Sequence, residues 1–428
     1  MRWIDMGRRT SYGRRNRRAV SRTRGHFFFI CALAGVLLSI ILLNEYFTSE
    51  KSQLVEKQQT ESSKVTPSSH ASTVDTARIM AHGDLLYHLP ILRGSEQFDG
   101  SYDFSENFTY VKPWIDQADF AIADFEGTIS PDFDLAGYPL FNAPSIVATN
   151  IHDAGYDLVG LAHNHILDSH LSGLISTVNA FQQAGVDTVG VYADGNRSTA
   201  PIYIREVNGI RIAVLAYAYG FNGMEALLSQ EEYDAYLSDF NQEKMQEEIE
   251  QAEKEADITI VMPQTGVEYQ LEPTEEQTSM YRKMVDWGAD IIFGGHPHVV
   301  EPAEIIEKDG QKKLIIYSMG NFLSNQRIET MEDTPNAQWT ERGVLMDVTI
   351  QKKDGQTSIQ AAQAHPTWVS RISKGTYSTE GYEQFTYQTY ILEDWIAGGQ
   401  YYGQLDLETQ ARVDTAYQEM KEFVNLSW

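Results

Sequence analysis

Cysteine is nearly absent from this sequence of 428 residues, in which Cys31 is the only one. A single cysteine excludes an intramolecular disulfide and any metal cluster held by several thiolates. The glycine-rich phosphate-binding motif GxxxxGK[ST] is absent as well, so nothing in the sequence indicates nucleotide binding of the P-loop type. Other polar side chains must therefore carry any chemistry.

Positive charge is also scarce. The chain has 33 lysines and arginines against 60 aspartates and glutamates, which gives a formal net charge of -27. Nine of the arginines lie within residues 1–24, so the remainder of the chain is more acidic still. A body of this charge repels phosphate backbones, which excludes general binding of nucleic acid.

One long hydrophobic run, FFFICALAGVLLSIILL at residues 27–43, carries no charged side chain. At about 1.5 Å rise per residue, a helix of this length nearly crosses a bilayer core. Because arginine-rich segments stay on the cytoplasmic side, we predict a cytoplasmic tail at 1–26, a transmembrane anchor at 27–47 and an extracellular body. A cleaved signal peptide is the alternative, although no small-x-small site follows Leu43.

The rest of the chain is a polar segment followed by an alternation of strand and helix patterns. Residues 48–76 are rich in Ser, Thr and Gln, which predicts a flexible linker. From residue 77 onward, short apolar runs alternate with helical patterns, which predicts an α/β fold layered around a sheet. We assign 77–350 to one domain and 351–428 to a C-terminal extension packed on it.

The predicted elements have these bounds. Strands are expected at 77–81, 120–123, 158–161, 210–216, 258–262, 291–293, 314–317 and 344–350, and helices at 171–184, 241–256, 275–287 and 408–424. The Asn208-Gly209 pair predicts a tight hairpin before the strand at 210–216.

Unusual polar groups follow five of these strands. They are Asp84; Asp124 and Glu126; His163, Asn164, His165 and Asp168; Gln264 and Glu268; and His296 and His298. Ligand sites in open α/β sheets cluster where strands end. Carboxylate, amide and imidazole groups at successive strand ends are what a divalent metal requires, so a metal or phosphate site is expected. A polar pocket without metal is the alternative.

The sequence HPH at 296–298 adds to this expectation. Proline fixes its own φ and biases the preceding residue towards extended geometry, so we expect both imidazoles on one rigid extended turn.

Eight segments resemble, in this order, the bacterial capsule-synthesis family CapA (also called PgsA) of poly-γ-glutamate export. They are GDLLYH, ADFAIADFEGTIS, FNAP, GYDLVGLAHNHILD, NGIRIAVLAY, GVEYQLEPTEEQ, GADIIFGGHPHVVEP and IIYSMGNFLSNQ, and the similarity as a whole runs from about residue 79 to residue 348. The resemblance implies a calcineurin-like metallophosphoesterase fold, a layered α/β sandwich.

The resemblance also implies residue roles. Asp84 would bind a first metal, Glu126 or Asp124 would bridge, Asn164 would bind a second metal, and His296 and His298 would complete the shells. His165 would be the general acid or the phosphate contact, oriented by Asp168. The implied cofactor is one or two divalent ions, Mn²⁺ or Mg²⁺.

Three positions depart from the family pattern. Leu86 stands where metallophosphoesterases have a histidine, and His88 or His82 are the candidates to replace it. Gln264 begins a Gln-Thr-Gly where relatives have His-Trp-Gly, and His163 stands where relatives have Asn. The sequence therefore leaves open whether the site binds one metal ion, two or none.

Three functions follow as hypotheses. The first is a membrane-anchored extracellular protein that assists synthesis or export of an anionic envelope polymer of the poly-γ-glutamate type, together with other membrane subunits. The second is a metal-dependent phosphoesterase that acts on a phosphorylated envelope substrate. The third is a non-catalytic binding module of the same fold that has lost metal ligands.

Overall fold

The computed structural model of the protein describes residues 74–378, 380–424 and 426–428. The predicted tail and transmembrane anchor, and the linker up to residue 73, lie outside these ranges. Within the described ranges, no helix has both the length and the hydrophobicity that crossing a membrane requires. The described residues belong to one compact unit.

Strands and helices alternate along most of the described chain, as an α/β fold requires. The strands are β1 (Val74–Leu85), β2 (Phe120–Phe125), β3 (Leu158–Gly160), β4 (Asp187–Val189), β5 (Ile204–Val207), β6 (Ile210–Ala218), β7 (Ile258–Gln264), β8 (Ile291–Phe293), β9 (Val300–Lys308), β10 (Gln311–Met319), β11 (Asn321–Leu323), β12 (Arg342–Lys353), β13 (Gln356–Tyr377) and β14 (Glu383–Ile391). The α-helices are α1 (Leu89–Ser95), α2 (Lys112–Ile115), α3 (Ile146–Asp153), α4 (His170–Ala184), α5 (Gln230–Tyr236), α6 (Gln242–Glu255), α7 (Glu275–Trp287) and α8 (Leu407–Val424).

Two sheets form the framework. The first has the order β14-β13-β12-β1-β2-β3-β4, with β11 also paired to β1, and the second has the order β5-β6-β7-β8-β10-β9. Strands β1 to β4 are parallel to one another, as are β6, β7, β8 and β10. The carboxyl ends of the parallel strands of each sheet therefore lie along one edge of that sheet.

The sheets pack face to face, and helices cover the outside. Alternate residues of β6 show this arrangement. Ile212 and Val214 share one core cluster with Ile79 of the first sheet, whereas Ala213 and Leu215 belong to a second cluster with residues of α6 and α7. Both faces of β6 are therefore buried, which explains its nearly continuous apolar sequence. The predicted α/β class is confirmed.

The predicted helices and hairpin are confirmed to within one residue. Helix α7 begins where the sequence predicts because the Thr274 side chain accepts a hydrogen bond from the Gln277 backbone N–H at 3.1 Å. It ends at Gly288, whose φ of 129° is unfavourable for other residues. Asn208 and Gly209, with φ of 50° and 79°, form the tight turn between β5 and β6.

Two predicted boundaries are wrong. Strand β1 begins at Val74, which pairs with Lys353, so residues 74–76 belong to the sheet and not to a linker. The segment 351–428 is not an extension packed on a finished domain, because β13 and β14 join the first sheet beside β12. The apolar pattern of residues 351–428 is weak because β13 and β14 leave many of their side chains in solvent.

A partly buried charge cluster connects these C-terminal strands to β1. His365 of β13 has its Nδ1 3.1 Å from Glu393 and its Nε2 3.6 Å from Asp347 of β12. Arg78 of β1 also donates to both oxygens of Asp347, at 2.9 and 2.7 Å. Burial lowers the pKa of His365, but Asp347 and Glu393 outweigh it and raise the pKa to about 9.

We predict that His365 stabilises the fold at acid and neutral pH and that this stabilisation is lost in alkali. A histidine whose folded pKa is raised stabilises fully below its unfolded pKa of about 6.5, and this contribution disappears as pH rises through about 9. His365→Gln should lower the free energy of unfolding by roughly 1–3 kcal/mol at pH 6 and have little effect at pH 10. Denaturant unfolding of the full chain measures this, with exposed His152→Gln as the control. Equal losses at both pH values would contradict it.

Candidate functional site

The polar residues singled out by the sequence lie at the carboxyl ends of strands in both sheets. Asp84 and Asp124 are paired neighbours near the ends of β1 and β2, and Asn321 of β11 lies on the other side of Asp84. Gln264 ends β7 and is bridged to Gly295, just after β8. The fold therefore brings together residues that are more than two hundred positions apart.

Asp84, Glu126 and His298 form the centre of the site. One donor atom from each lies within 4.8 Å of the other two, and all three residues are buried. His298 Nδ1 is 3.0 Å from Asp84 Oδ2 and 3.9 Å from Glu126 Oε2. Neither oxygen of Glu126 has a hydrogen-bond partner among the described residues. Two carboxylates and an imidazole thus converge on one small volume.

Gln264 and Gly295 support this centre from the second sheet. Gln264 Nε2 donates to Asp84 Oδ1 at 3.1 Å and also to Asp124 Oδ2. Gly295 makes this approach possible, because a Cβ there would lie 2.5 Å from Gln264 Nε2 and 3.0 Å from Asp84 Oδ1. Any larger residue at 295 would therefore push the amide away from the carboxylates.

His165 and Asp168 form a second polar pair at the site. His165 Nδ1 lies 2.7 Å from Asp168 Oδ2, which also accepts a hydrogen bond of 2.6 Å from the Phe141 backbone N–H. The Phe141 ring packs edge-on against the His165 ring, with centroids 4.8 Å apart. Asp168 and Phe141 thus hold the imidazole of His165 in one orientation.

The turn that carries His296 and His298 differs from the prediction. Both residues have positive φ, 95° and 58°, instead of the extended geometry expected around Pro297. Non-glycine residues rarely adopt this conformation, which concentrates at functional sites. The two rings lie 5.9 Å apart, and Tyr219, which is partly exposed, lies 4.6 Å from the His296 ring.

The pKa values at the site reflect burial and crowding of like charges. Burial raises the pKa values of Asp124 and Glu126 well above their usual range, and the charge of Asp84 adds to both shifts. Burial lowers the pKa of His298, but Glu126 and Asp84 outweigh it and raise the pKa to about 10. The pKa of His296 falls to about 3 through burial and the charge of His298. The carboxyl groups of Asp124 and Glu126 therefore have one imidazole with a raised pKa, that of His298, as their neighbour.

The other candidates for the site have mainly structural partners. His88 Nδ1 accepts a hydrogen bond from the Asn325 backbone N–H at 3.3 Å, and burial, together with the charge of His298, lowers the pKa of His88 to about 3. The His163 ring faces the backbone N–H groups of Gly127 and His165, at 3.4 and 3.2 Å.

The remaining candidate, His82, is buried in the core. It lies stacked on Phe322 with the ring centroids 3.6 Å apart, and Leu86 is a buried core residue.

Sequence reasoning missed two asparagines at the site. Asn321 Oδ1 lies 3.2 Å from His298 Nδ1, and Asn222, with φ of 56°, contacts both Asn164 and His165. Asn321 lies in the segment IIYSMGNFLSNQ that carries the family resemblance, so the sequence did indicate that this residue could belong to the site. Asn222 lies in a loop after β6, where one sequence alone gives no signal.

The donor set fits a divalent cation. Glu126 has two unpartnered oxygens, and Asn164 Oδ1, Gln264 Oε1 and His296 Nδ1 also lack hydrogen-bond partners within the part of the chain described. Each buried unsatisfied acceptor costs about 1–3 kcal/mol. No lysine or arginine pairs with Asp84, Asp124 or Glu126 among the described residues. A cation would offset the charge and satisfy these acceptors, and it would supply Lewis-acid chemistry when bound.

A comparison with protein families identifies the chain. The model of the bacterial capsule synthesis protein family PGA_cap matches residues 78–326, which include every residue of the site described above. The chain belongs to this family. The resemblance inferred from the eight sequence segments is therefore confirmed.

Two curated relatives match this chain over similar lengths. The chain is 28% identical over 241 residues to the capsule biosynthesis protein CapA of Bacillus anthracis, which covers 54% of this chain and 57% of the relative. It is 29% identical over 238 residues to the PGA biosynthesis protein CapA of Bacillus subtilis strain 168, which covers 54% of this chain and 60% of the relative. The match thus spans less than two thirds of either relative's length.

Among solved structures, the chain is similar to the calcineurin-like phosphoesterase YfkN from Bacillus subtilis. The match has 15% sequence identity and a TM-score of 0.42, and it covers 83% of this chain and 100% of that one. A TM-score below 0.5 indicates a distant likeness, which says nothing about what this chain does.

We predict that Gly295→Ala damages the cation site without unfolding the protein. The new Cβ would displace the Gln264 amide from Asp84. Affinity for Mn²⁺ should fall by about 10-fold or more, as expected when groups that orient metal ligands are lost. Titration calorimetry on the chelator-treated full chain measures this. Gly220→Ala is the matched control, because a Cβ there meets nothing within 4 Å. Equal Mn²⁺ affinities for both variants would refute the prediction.

Proposed function

We propose that this protein is a membrane-anchored accessory in the synthesis or export of an anionic envelope polymer, of the poly-γ-glutamate type, with its body outside the cell. The observation that carries the proposal is that the family match at 78–326 contains the whole buried cluster of Asp84, Glu126 and His298. In this proposal the protein works with other membrane subunits, which supply ligation and the transport path.

The membrane anchor rests on the sequence alone. It is supported by the uncharged run at 27–43 and by the arginines that precede it. The same asymmetry supports an outer location for the described residues, where a polymer leaving the cell would meet them.

A bound cation is the proposed contact with the polymer. The chain has a net charge of -27, so an anionic polymer is repelled by most of its surface. A divalent ion held by Asp84, Glu126 and His298 would offset the charge of these carboxylates and offer its remaining coordination positions to carboxylates of the polymer. Mn²⁺ and Mg²⁺ suit this oxygen-rich donor set.

Gene replacement tests the proposal. In a strain that makes a surface polymer, deletion should lower the amount of polymer on the cells, and the wild-type gene should restore it. Glu126→Gln should fail to restore it, because one buried anion of the site is lost. Glu243→Gln, on the exposed face of α6, is the matched control and should restore it fully. Unchanged surface polymer in the deletion strain would refute the proposed role.

A phosphoesterase that acts on a phosphorylated envelope substrate is the second candidate function. The observation that favours it is the 2.7 Å contact between His165 and Asp168 beside the carboxylate cluster. Asp168 holds Nδ1 of the imidazole, so Nε2 is the nitrogen available to exchange a proton with a leaving group. The third hypothesis, a module that binds without catalysis, shares every feature of the site except this use of His165.

An assay with bis-p-nitrophenyl phosphate and Mn²⁺ separates these alternatives. If the protein is a phosphoesterase, His165→Ala should lower turnover by about 100-fold or more, which is typical for the loss of a general acid. Exposed His152→Ala should have no effect. Turnover that is absent, or that is the same in both variants, would leave the binding module as the interpretation of the site.

A further inference from the structure

Three arginines line a cavity that lies outside the segment matched by the family model. The cavity has a volume of about 440 Å³ and is formed by the middle of β13, the start of α8 and the residues just before α8. Its lining includes Arg327, Arg371 and Arg412, together with the ring of Trp368. None of these four residues belongs to the matched range 78–326. The chain is strongly acidic, so three arginines around one cavity are an unusual concentration of positive charge.

Two of these arginines are bound to carboxylates of the protein. Glu329 lies 2.7 Å from Arg327 Nε and 2.5 Å from Arg412 Nη1. Glu341 lies 3.2 Å from Arg327 and 2.6 Å from Arg412. Burial raises the pKa of Glu329, but hydrogen bonds from both arginines outweigh it and lower the pKa to about 2. The charges of Arg327 and Arg412 are therefore offset within the fold.

Arg371 differs from them because no carboxylate offsets its charge. Its Cζ lies 3.6 Å from the centroid of the Phe385 ring, and its Nε donates to the Tyr387 hydroxyl at 3.1 Å. Within the described part of the chain, its two terminal nitrogens have neither a hydrogen-bond partner nor an ion pair. Asp406, another acid of the lining, accepts from the Thr409 backbone N–H at 2.9 Å. The guanidinium is thus held at one side, and its terminal nitrogens form a fork that matches a carboxylate.

A short series of contacts connects Arg371 with the candidate functional site. The Tyr387 hydroxyl donates to Asn325 Oδ1 at 2.5 Å, and the Asn325 backbone N–H donates to His88 Nδ1 at 3.3 Å. His88 in turn is close enough to His298 for the charge of His298 to lower its pKa. Two residues therefore separate Arg371 from His88, a separation that a polymer several units long can bridge.

We propose that Arg371 is a second contact for the anionic polymer, independent of metal, and that it binds one carboxylate of the polymer. The choice of ligand rests on the proposed function, which supplies a chain with repeated carboxylates. A carboxylate fits because bidentate pairing satisfies both terminal nitrogens of the guanidinium at once. Two contacts on one polymer chain raise the affinity above that of either contact alone.

Binding of a short polymer in the absence of metal tests this proposal. The full-length protein is purified in detergent, freed of metal with a chelator, and mixed at low ionic strength with a fluorescent oligomer of γ-linked glutamate. Fluorescence anisotropy gives the affinity. Arg371→Gln should weaken binding by about tenfold or more, because hydrogen bonds to a charged group are lost. Arg371→Lys keeps the charge without the fork and should restore only part of the affinity.

Three further variants make the test specific. Gln404 is an exposed residue of the cavity lining, and changing it leaves the arginines in place. Gln404→Glu should weaken binding and Gln404→Lys should strengthen it, each by about two- to fivefold, as for one exposed charge pair. Damage to the fold would not give effects of opposite sign. Arg211→Gln removes an exposed arginine of β6 that has no ion pair among the residues described, and it should match wild type.

The outcomes separate this inference from the proposed function. Equal affinities of wild type and Arg371→Gln, or no binding of the oligomer to metal-free wild type, would overturn the contact at Arg371 and leave the proposed function to the gene replacement. Inorganic phosphate that binds through Arg371 while the oligomer does not bind would overturn the choice of a carboxylate. Unchanged surface polymer in the deletion strain would refute the proposed role, and with it the polymer as the ligand of Arg371.

Discussion

The burial of three carboxylates in one pocket is the constraint on which the rest of the site depends. Asp84, Asp124 and Glu126 are each at most 4% exposed. Unpaired charges in such a place cost several kcal/mol each, so they persist only with compensation from neighbours. The structure supplies the imidazole of His298, whose pKa is raised, and the side-chain amide of Gln264. This compensation is incomplete, which is why the pocket is suited to a cation.

The fold maintains this costly arrangement through backbone geometry. Asp84 and Asp124 lie on adjacent parallel strands, so their separation follows from the sheet and not from flexible loops. The HPH turn holds His298 against them in a left-handed conformation, and Gly295 leaves room for Gln264. The large core between the two sheets stabilises the framework enough to carry strain and buried charge at its edge.

The central strands and the main site were predictable from the sequence because they have strong local signals. Strands β6, β7 and β8 are short apolar runs, and polar residues follow them where a parallel sheet places its ligand sites. Strand β13 was missed, since its outer half is exposed and its pattern is irregular. His82 was named only because it lies near position 86, where the family pattern has a histidine, and a sequence does not show that its ring stacks on Phe322. Asn222 depends on a loop conformation that no local pattern encodes.

The excess negative charge of the body and the charge of the proposed polymer can be reconciled by the same pocket. Two polyanions do not associate unless their repulsion is offset locally, and screening by salt only weakens that repulsion. The described carboxylates of the site have no lysine or arginine partner that could provide the offset. A divalent ion that binds carboxylates on both sides would do so at one point. The surrounding acidic surface would then keep the rest of the polymer away, which favours a contact that is specific but releases easily.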